Sequence, residues 1–215
     1  MNNHIPLYRM SRRSQTTILI ILAVAFVATL ALYFILRGGF SFSNVPKQFE
    51  PVYNYYLECI DNEVILGSTL AGEQGGYIEV PSFSPGSVYM PFSSQLDFLG
   101  IPVPYWYYIS GNGLKKEQIP AIENIEADLS RFVAERISEC DFSEFAKQGY
   151  RIELSPRNVI VSTTIHDSYI TAEVKQDITM YFGNDSYQGT NHQKNVDSNI
   201  GILYANARAL YDHFK

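Results

Sequence analysis

Residues 16–36 read TTILIILAVAFVATLALYFIL, twenty-one positions without a charge, preceded by Arg9, Arg12 and Arg13 and followed by Arg37. At about 1.5 Å of rise per residue, a helix of this length matches a bilayer core of about 30 Å. A helix in the core of a water-soluble domain would carry polar side chains along one face. Here the polar residues are only Thr16, Thr17 and Thr29. The run is therefore expected to be a single membrane anchor, with a lipid bilayer as partner.

The arginines give the direction. Three precede the run with no acid among the first fifteen residues, whereas Arg37 and Lys47 on the far side are opposed by Glu50. The positive-inside bias places the short N-terminus in the cytoplasm and the rest outside. The expected organisation is a cytoplasmic tail over 1–15, a transmembrane helix over 16–37, a juxtamembrane linker over 38–49 and an extracytoplasmic domain over 50–215. The run is longer than the usual 7–15-residue core of a cleaved signal peptide, and no clear A-x-A-like site follows it. Of 16 Lys and Arg, four arginines lie within residues 1–39, which leaves 12 basic against 22 acidic residues beyond them, a net of −10. A surface of that sign repels phosphate backbones, so nucleic-acid binding is disfavoured.

The only cysteines are Cys59 and Cys140, both in the expected exported part. An even count outside the cytosol favours a disulfide; two separate buried thiols are the alternative. A helix is expected from about Pro51 to Ala71, with Val52, Tyr56, Cys59, Ile60, Leu66 and Leu70 as its apolar stripe and Gly72, Gly75 and Gly76 as its stop. GEQGGY follows that helix and lacks a subsequent Lys-Ser/Thr, so it ends a helix and does not cradle phosphate. A second helix, Pro120 to Cys140, repeats Ile122, Ile125, Leu129, Phe132, Val133 and Ile137 at three- and four-residue steps. Its acids, Glu123, Glu126, Asp128, Glu135 and Glu139, fall largely off the stripe, as on a solvated face.

Between these helices, residues 77–109 hold nine aromatics and five prolines, with only Glu79 and Asp97 charged. Short strands are expected at residues 77–80 and 105–109, with a turn at Asn112-Gly113. The aromatic rings either fill a sheet core or form a binding platform, for which Tyr105, Trp106, Tyr107 and Tyr108 are the candidates. The strongest strand signal comes later: Val159, Val161 and Ile165 alternate. Ile170, Ala172, Val174, Ile178, Met180 and Phe182 then share one parity, with Gln176 as the only break, a bulge or a bend. His166-Asp167-Ser168 lies between the two runs as a hairpin loop, since adjacent residues cannot form a nucleophile–base–orienter chain. Residues 183–199 are polar and read as an exposed loop, with Asn184-Asp185-Ser186 as an N-glycosylation sequon. Ile200, Leu203, Tyr204, Ala207, Leu210, Tyr211 and Phe214 fall on a helical stripe, an apolar face that needs a partner surface within the domain or on another chain. His4, His166, His192 and His213 show no metal-ligand spacing, and no metal, cofactor or catalytic residue is assigned.

Two resemblances follow from these motifs. Arg12-Arg13-Ser14-Gln15-Thr16-Thr17 before the apolar run resembles the class III signal of archaeal pilin-like proteins, with processing between Ser14 and Gln15. Ser14 stands where Gly is usual, and Leu19 where many pilins carry an assembly Glu. The order RRSQTTILIILAVAF, PVYNYYLECI, QGGYIEVP, PYWYY and a helix ending in ISEC resembles uncharacterised single-pass membrane proteins of archaea with small genomes. That resemblance spans roughly residues 9–182 and implies an envelope-associated protein with a Cys59–Cys140 disulfide; it implies no activity. The expected fold class is α+β, an N-terminal transmembrane helix followed by an antiparallel sheet packed by helices. The expected role is an extracytoplasmic interaction or envelope-structural protein with a protein partner in the membrane or envelope. A pilin-like subunit is the first alternative, and an exported hydrolase or sugar-binding domain the second.

Overall fold

The computed structural model describes residues 21–27, 29, 45–88, 93–155 and 159–215. The chain divides into one unit over Met1–Asn44 and a second over Val45–Lys215. In the first, residues 21–27 and 29 are helical and exposed. The remainder of the expected anchor, together with Ser14 and Gln15, lies outside the described residues. Among the described residues, no helix is long and apolar enough to cross a membrane.

The second unit is α+β. Its order is α1 (Glu50–Glu73), β1 (Gln95–Phe98), β2 (Ile101–Pro104), β3 (Tyr107–Ile109), β4 (Lys115–Glu117) and α2 (Ile122–Arg136). A 3-10 turn over Ile137–Glu139 follows, then α3 (Ser143–Lys147), β5 (Tyr150–Leu154), β6 (Ile160–Ile165), β7 (Tyr169–Phe182), β8 (Asp185–Asp197) and α4 (Ile200–Phe214). Every strand pairing is antiparallel. The unit begins with Val45 and Phe49 already buried in its core.

β7 is the spine. One of its edges pairs with β8 along nearly its whole length; the other pairs with β6 over residues 170–175 and with β5 over residues 178–182. Ile170, Ala172, Val174, Ile178 and Met180 are buried, as the alternation requires, while Phe182 at the strand end is partly exposed. The break at Gln176 is a register irregularity between Lys175 and Ile178. Gln176 is itself buried with both ends of its amide engaged: its Oε1 accepts from the Tyr56 hydroxyl at 2.7 Å, and its Nε2 donates to the Ser155 carbonyl at 3.1 Å.

The helices cover this inner face. α1 contributes Val52, Tyr56, Ile60 and Val64, and α2 contributes Ile125, Leu129 and Val133, followed by Ile137. The α1 stripe departs from the expected one beyond Ile60: Leu66 is exposed, whereas Val64, Gly67, Ser68 and Ala71 are buried. Gly67 explains the shift. A Cβ there would lie 2.5 Å from Leu129 Cδ1 and 2.9 Å from Phe132 Cδ1, so the helices cross where α1 has almost no side chain. α2 also seals the outer edge of β6. Ser130 Oγ accepts from the Thr163 amide at 2.9 Å and the Glu126 carboxylate from the Ile165 amide at 2.7 Å. Glu126 is thus an edge-capping residue, not a solvated one.

Three expectations on secondary structure are corrected. Residues 77–80 are not a strand; Glu79 instead turns to Arg131 at 2.8 Å, and Ile78 packs on the core. The aromatic segment does not fill the main sheet; it builds two separate hairpins, β1–β2 and β3–β4. Pro102 and Pro104 fit in β2 because both strands of a two-stranded sheet are edges. Residues 183–199 are not a loop, since β8 occupies Asp185–Asp197. Its inward positions are odd up to Tyr187 and Gly189 and even from His192 to Val196, so the irregularity opposite Gln176 conceals the alternation. The turn at Asn112-Gly113 is present, with Gly113 at φ 80° and its amide donating to Ser110 O at 2.8 Å.

Cys59 and Cys140 form a disulfide with Cα atoms 6.2 Å apart, within the usual bridging range. It joins the middle of α1 to the residue that ends the 3-10 turn after α2.

Candidate interaction groove

α4 is fixed at its start by a backbone contact. A Cβ on Gly201 would lie 2.2 Å from the His166 carbonyl oxygen, so only glycine lets the helix begin against the β6–β7 turn. The Ile202 amide reaches Asp167 O at 3.3 Å. Further along, the Tyr204 hydroxyl donates to Pro120 O at 2.9 Å, and the Trp106 ring sits 6.1 Å from Tyr204 and 6.0 Å from Tyr211. Trp106 Nε1 donates to Gly75 O at 2.7 Å, which ties the indole to the end of α1. At the last residue, Lys215 Nζ reaches Glu117 Oε1 on β4 at 2.8 Å, and this carboxylate raises the lysine pKa.

These anchors span one side of the α4 stripe and leave the other open. Between the helix and the β3–β4 hairpin runs a groove of about 900 Å³, with Trp106, Tyr107, Leu210, Tyr211 and Phe214 as its apolar lining and Lys115, Glu117 and Lys215 as its polar groups. A smaller cavity of about 150 Å³ lies behind Trp106, against Ile125 and Ile200. Leu203, Leu210 and Phe214 are 63, 60 and 78% exposed, which is unusual for three large apolar side chains on one helical stripe. The Tyr211 hydroxyl is buried and has no hydrogen-bond partner among the described residues.

The four candidate platform residues divide. Trp106 and Tyr107 line the groove; Tyr105 and Tyr108 do not, and the Tyr105 amide instead donates to Ser94 O at 3.0 Å. Tyr108 is half-buried in β3 opposite Lys116. Glu79 and Asp97 do not converge on Trp106. The first pairs with Arg131, and the second accepts from the Gly100 amide at 2.8 Å in the β1–β2 turn. Among the described residues, the lining contains no histidine, cysteine or serine, and its carboxylate is engaged by Lys215. Such a groove offers contact area and stacking surfaces to a bound partner.

No protein-family model matches this chain, and no curated protein or solved structure is detectably similar to it.

A second cluster is structural. His192 on β8 is buried, with Nε2 2.9 Å from Gln176 O and Nδ1 3.2 Å from the Tyr53 hydroxyl. The carbonyl can only accept, so Nε2 carries the proton and Nδ1 accepts from Tyr53. Burial lowers the His192 pKa below its ordinary value, and burial likewise raises those of Tyr53 and Tyr56. A folded-state pKa below the unfolded value of about 6.5 means that the unfolded chain binds the proton more readily. Stability should therefore be intact above about pH 6.5 and fall as pH drops through the lowered folded pKa. Urea unfolding across pH 5–8 should show this loss in the native sequence and a flatter profile in His192→Gln. Among the described residues, no group of three or more His, Cys, Asp or Glu side chains is placed to hold a metal ion.

Proposed function

We propose that this chain is a membrane-anchored, extracytoplasmic interaction protein, whose α4 groove receives a protein partner in the membrane or cell envelope. The observation that carries this reading is the half-covered α4 stripe. Trp106 holds one side of it, while Leu203, Leu210 and Phe214 remain exposed beside an aromatic groove. Rigid aromatic rings around an open apolar groove are the usual composition of contact hot spots. Export is supported by the arginines before the apolar run and by the Cys59–Cys140 bridge, which favours an oxidising compartment. The motif order that resembles single-pass envelope proteins of small-genome archaea agrees with it.

The test is photocrosslinking in the native membrane. A benzophenone side chain at Leu210 of the full chain should give a covalent adduct with a membrane or envelope protein. The same probe at exposed Glu144, on the short helix α3, should give none. Trp106→Ala should weaken the Leu210 adduct at least several-fold. Equal crosslinking from the two positions would overturn the groove as a contact site. The alternative of a pilin-like subunit is favoured by the RRSQTT segment, and it requires a mature chain that begins at Gln15. N-terminal sequencing of the native protein separates the two readings.

A further inference from the structure

Asn184-Asp185-Ser186 is the only Asn-X-Ser/Thr sequence among the 215 residues, and the fold places it at a protruding point. Gly183 and Asn184 are the two central residues of the β7–β8 turn, which is closed by the register pair Phe182 and Asp185. Gly183 has φ 59° at the first central position, as in a type II′ hairpin turn. Asn184 is exposed and its side-chain amide makes no hydrogen bond within the described residues. Ser186, two residues on, is also exposed, and the Asp185 carboxylate between them accepts from Gln48 Nε2 at 3.1 Å.

From this geometry we propose that Asn184 is an N-glycosylation acceptor, a site that rests on the extracytoplasmic orientation proposed above. The donor is a sugar carried on a polyprenyl phosphate or diphosphate. The Asn184 amide nitrogen attacks the anomeric carbon. A C–N bond forms, the C–O bond to phosphate breaks, and the lipid phosphate departs with the electron pair. The amide gives up one of its two protons, which leaves with the departing lipid phosphate. Ser186 supplies the third-position hydroxyl that the pattern requires. Nothing in the core opposes the modification, because the turn points its side chains into solvent. The glycan would stand at the end of β8, a thirteen-residue edge strand, and screen its unpaired backbone from other chains.

The experiment uses the full chain purified from its native membranes. Cleavage at lysines releases residues 176–194, which contain this sequon alone. The peptide should carry a glycan mass at Asn184 that is lost in Asn184→Gln and Ser186→Ala and kept in Ser186→Thr. In parallel, a membrane-impermeant amine reagent is applied to intact cells and read at the exposed Lys147. An unmodified peptide from protein labelled at Lys147 overturns the glycosylation site and leaves the orientation standing. An unmodified peptide from protein protected at Lys147 overturns the orientation, and the site with it.

Discussion

Replacing Cys59 or Cys140 by serine should cost roughly 4.5 kcal/mol of folding stability, the chain-entropy value for a cross-link between residues 81 apart. The bridge joins the middle of α1 to the end of the 3-10 turn after α2, and so restricts how far those two segments separate when the chain unfolds. Each single variant removes the same covalent link. The two singles and the double should therefore agree to within a few tenths of a kcal/mol in urea unfolding. Reduction of the native protein should produce the same loss. A large difference between Cys59→Ser and Cys140→Ser would mean that side-chain packing, and not the cross-link, supplies the effect.

Val174→Asp should be comparably severe. Val174 is 1% exposed on the inner face of β7, between β6 and β8, with Val161 and His192 as its register partners. A carboxylate there loses its water, and the facing His192 is buried with both ring nitrogens already engaged, so the cost is on the order of 4 kcal/mol. Glu173→Lys, one residue earlier on the wet face, should change stability by no more than about 0.5 kcal/mol. Thermal unfolding of the two variants side by side tests the strand face directly. Similar destabilisation by both would contradict it.

Much of the domain is legible where one face is apolar without interruption. α2 shows its core face at Ile125, Leu129 and Val133, and β7 carries an apolar residue at every even position from Ile170 to Phe182 but one. The exception, Gln176, marks a real irregularity in register, where its buried amide accepts from the Tyr56 hydroxyl and donates to the Ser155 carbonyl. β8 is hidden by that same irregularity: its inward parity changes beside it, and two of its inward residues are Gly189 and His192. Tyr150, Ile152 and Leu154 alternate with Arg151 and Glu153, the signal for β5, but five residues do not distinguish a strand from one turn of helix. In α1, periodicity favours large apolar residues and so points to Leu66, whereas the crossing with α2 selects the small Gly67 and Ser68.

The groove was legible only in parts. Trp106 and Tyr107 stand out as aromatics, and the α4 stripe stands out as apolar. Their meeting depends on contacts far apart in sequence that leave no local pattern: Gly201 against the His166 carbonyl, Tyr204 on Pro120 and Lys215 on Glu117. Periodicity identifies a face that needs covering, not what covers it.

The most direct test of the proposed anchored, exported domain is protease treatment of intact cells whose outer layers admit the enzyme. Residues 45–215 should be degraded, and a fragment containing the arginine-rich N-terminus should survive. A domain that stays intact until the membrane is dissolved would contradict the exported orientation.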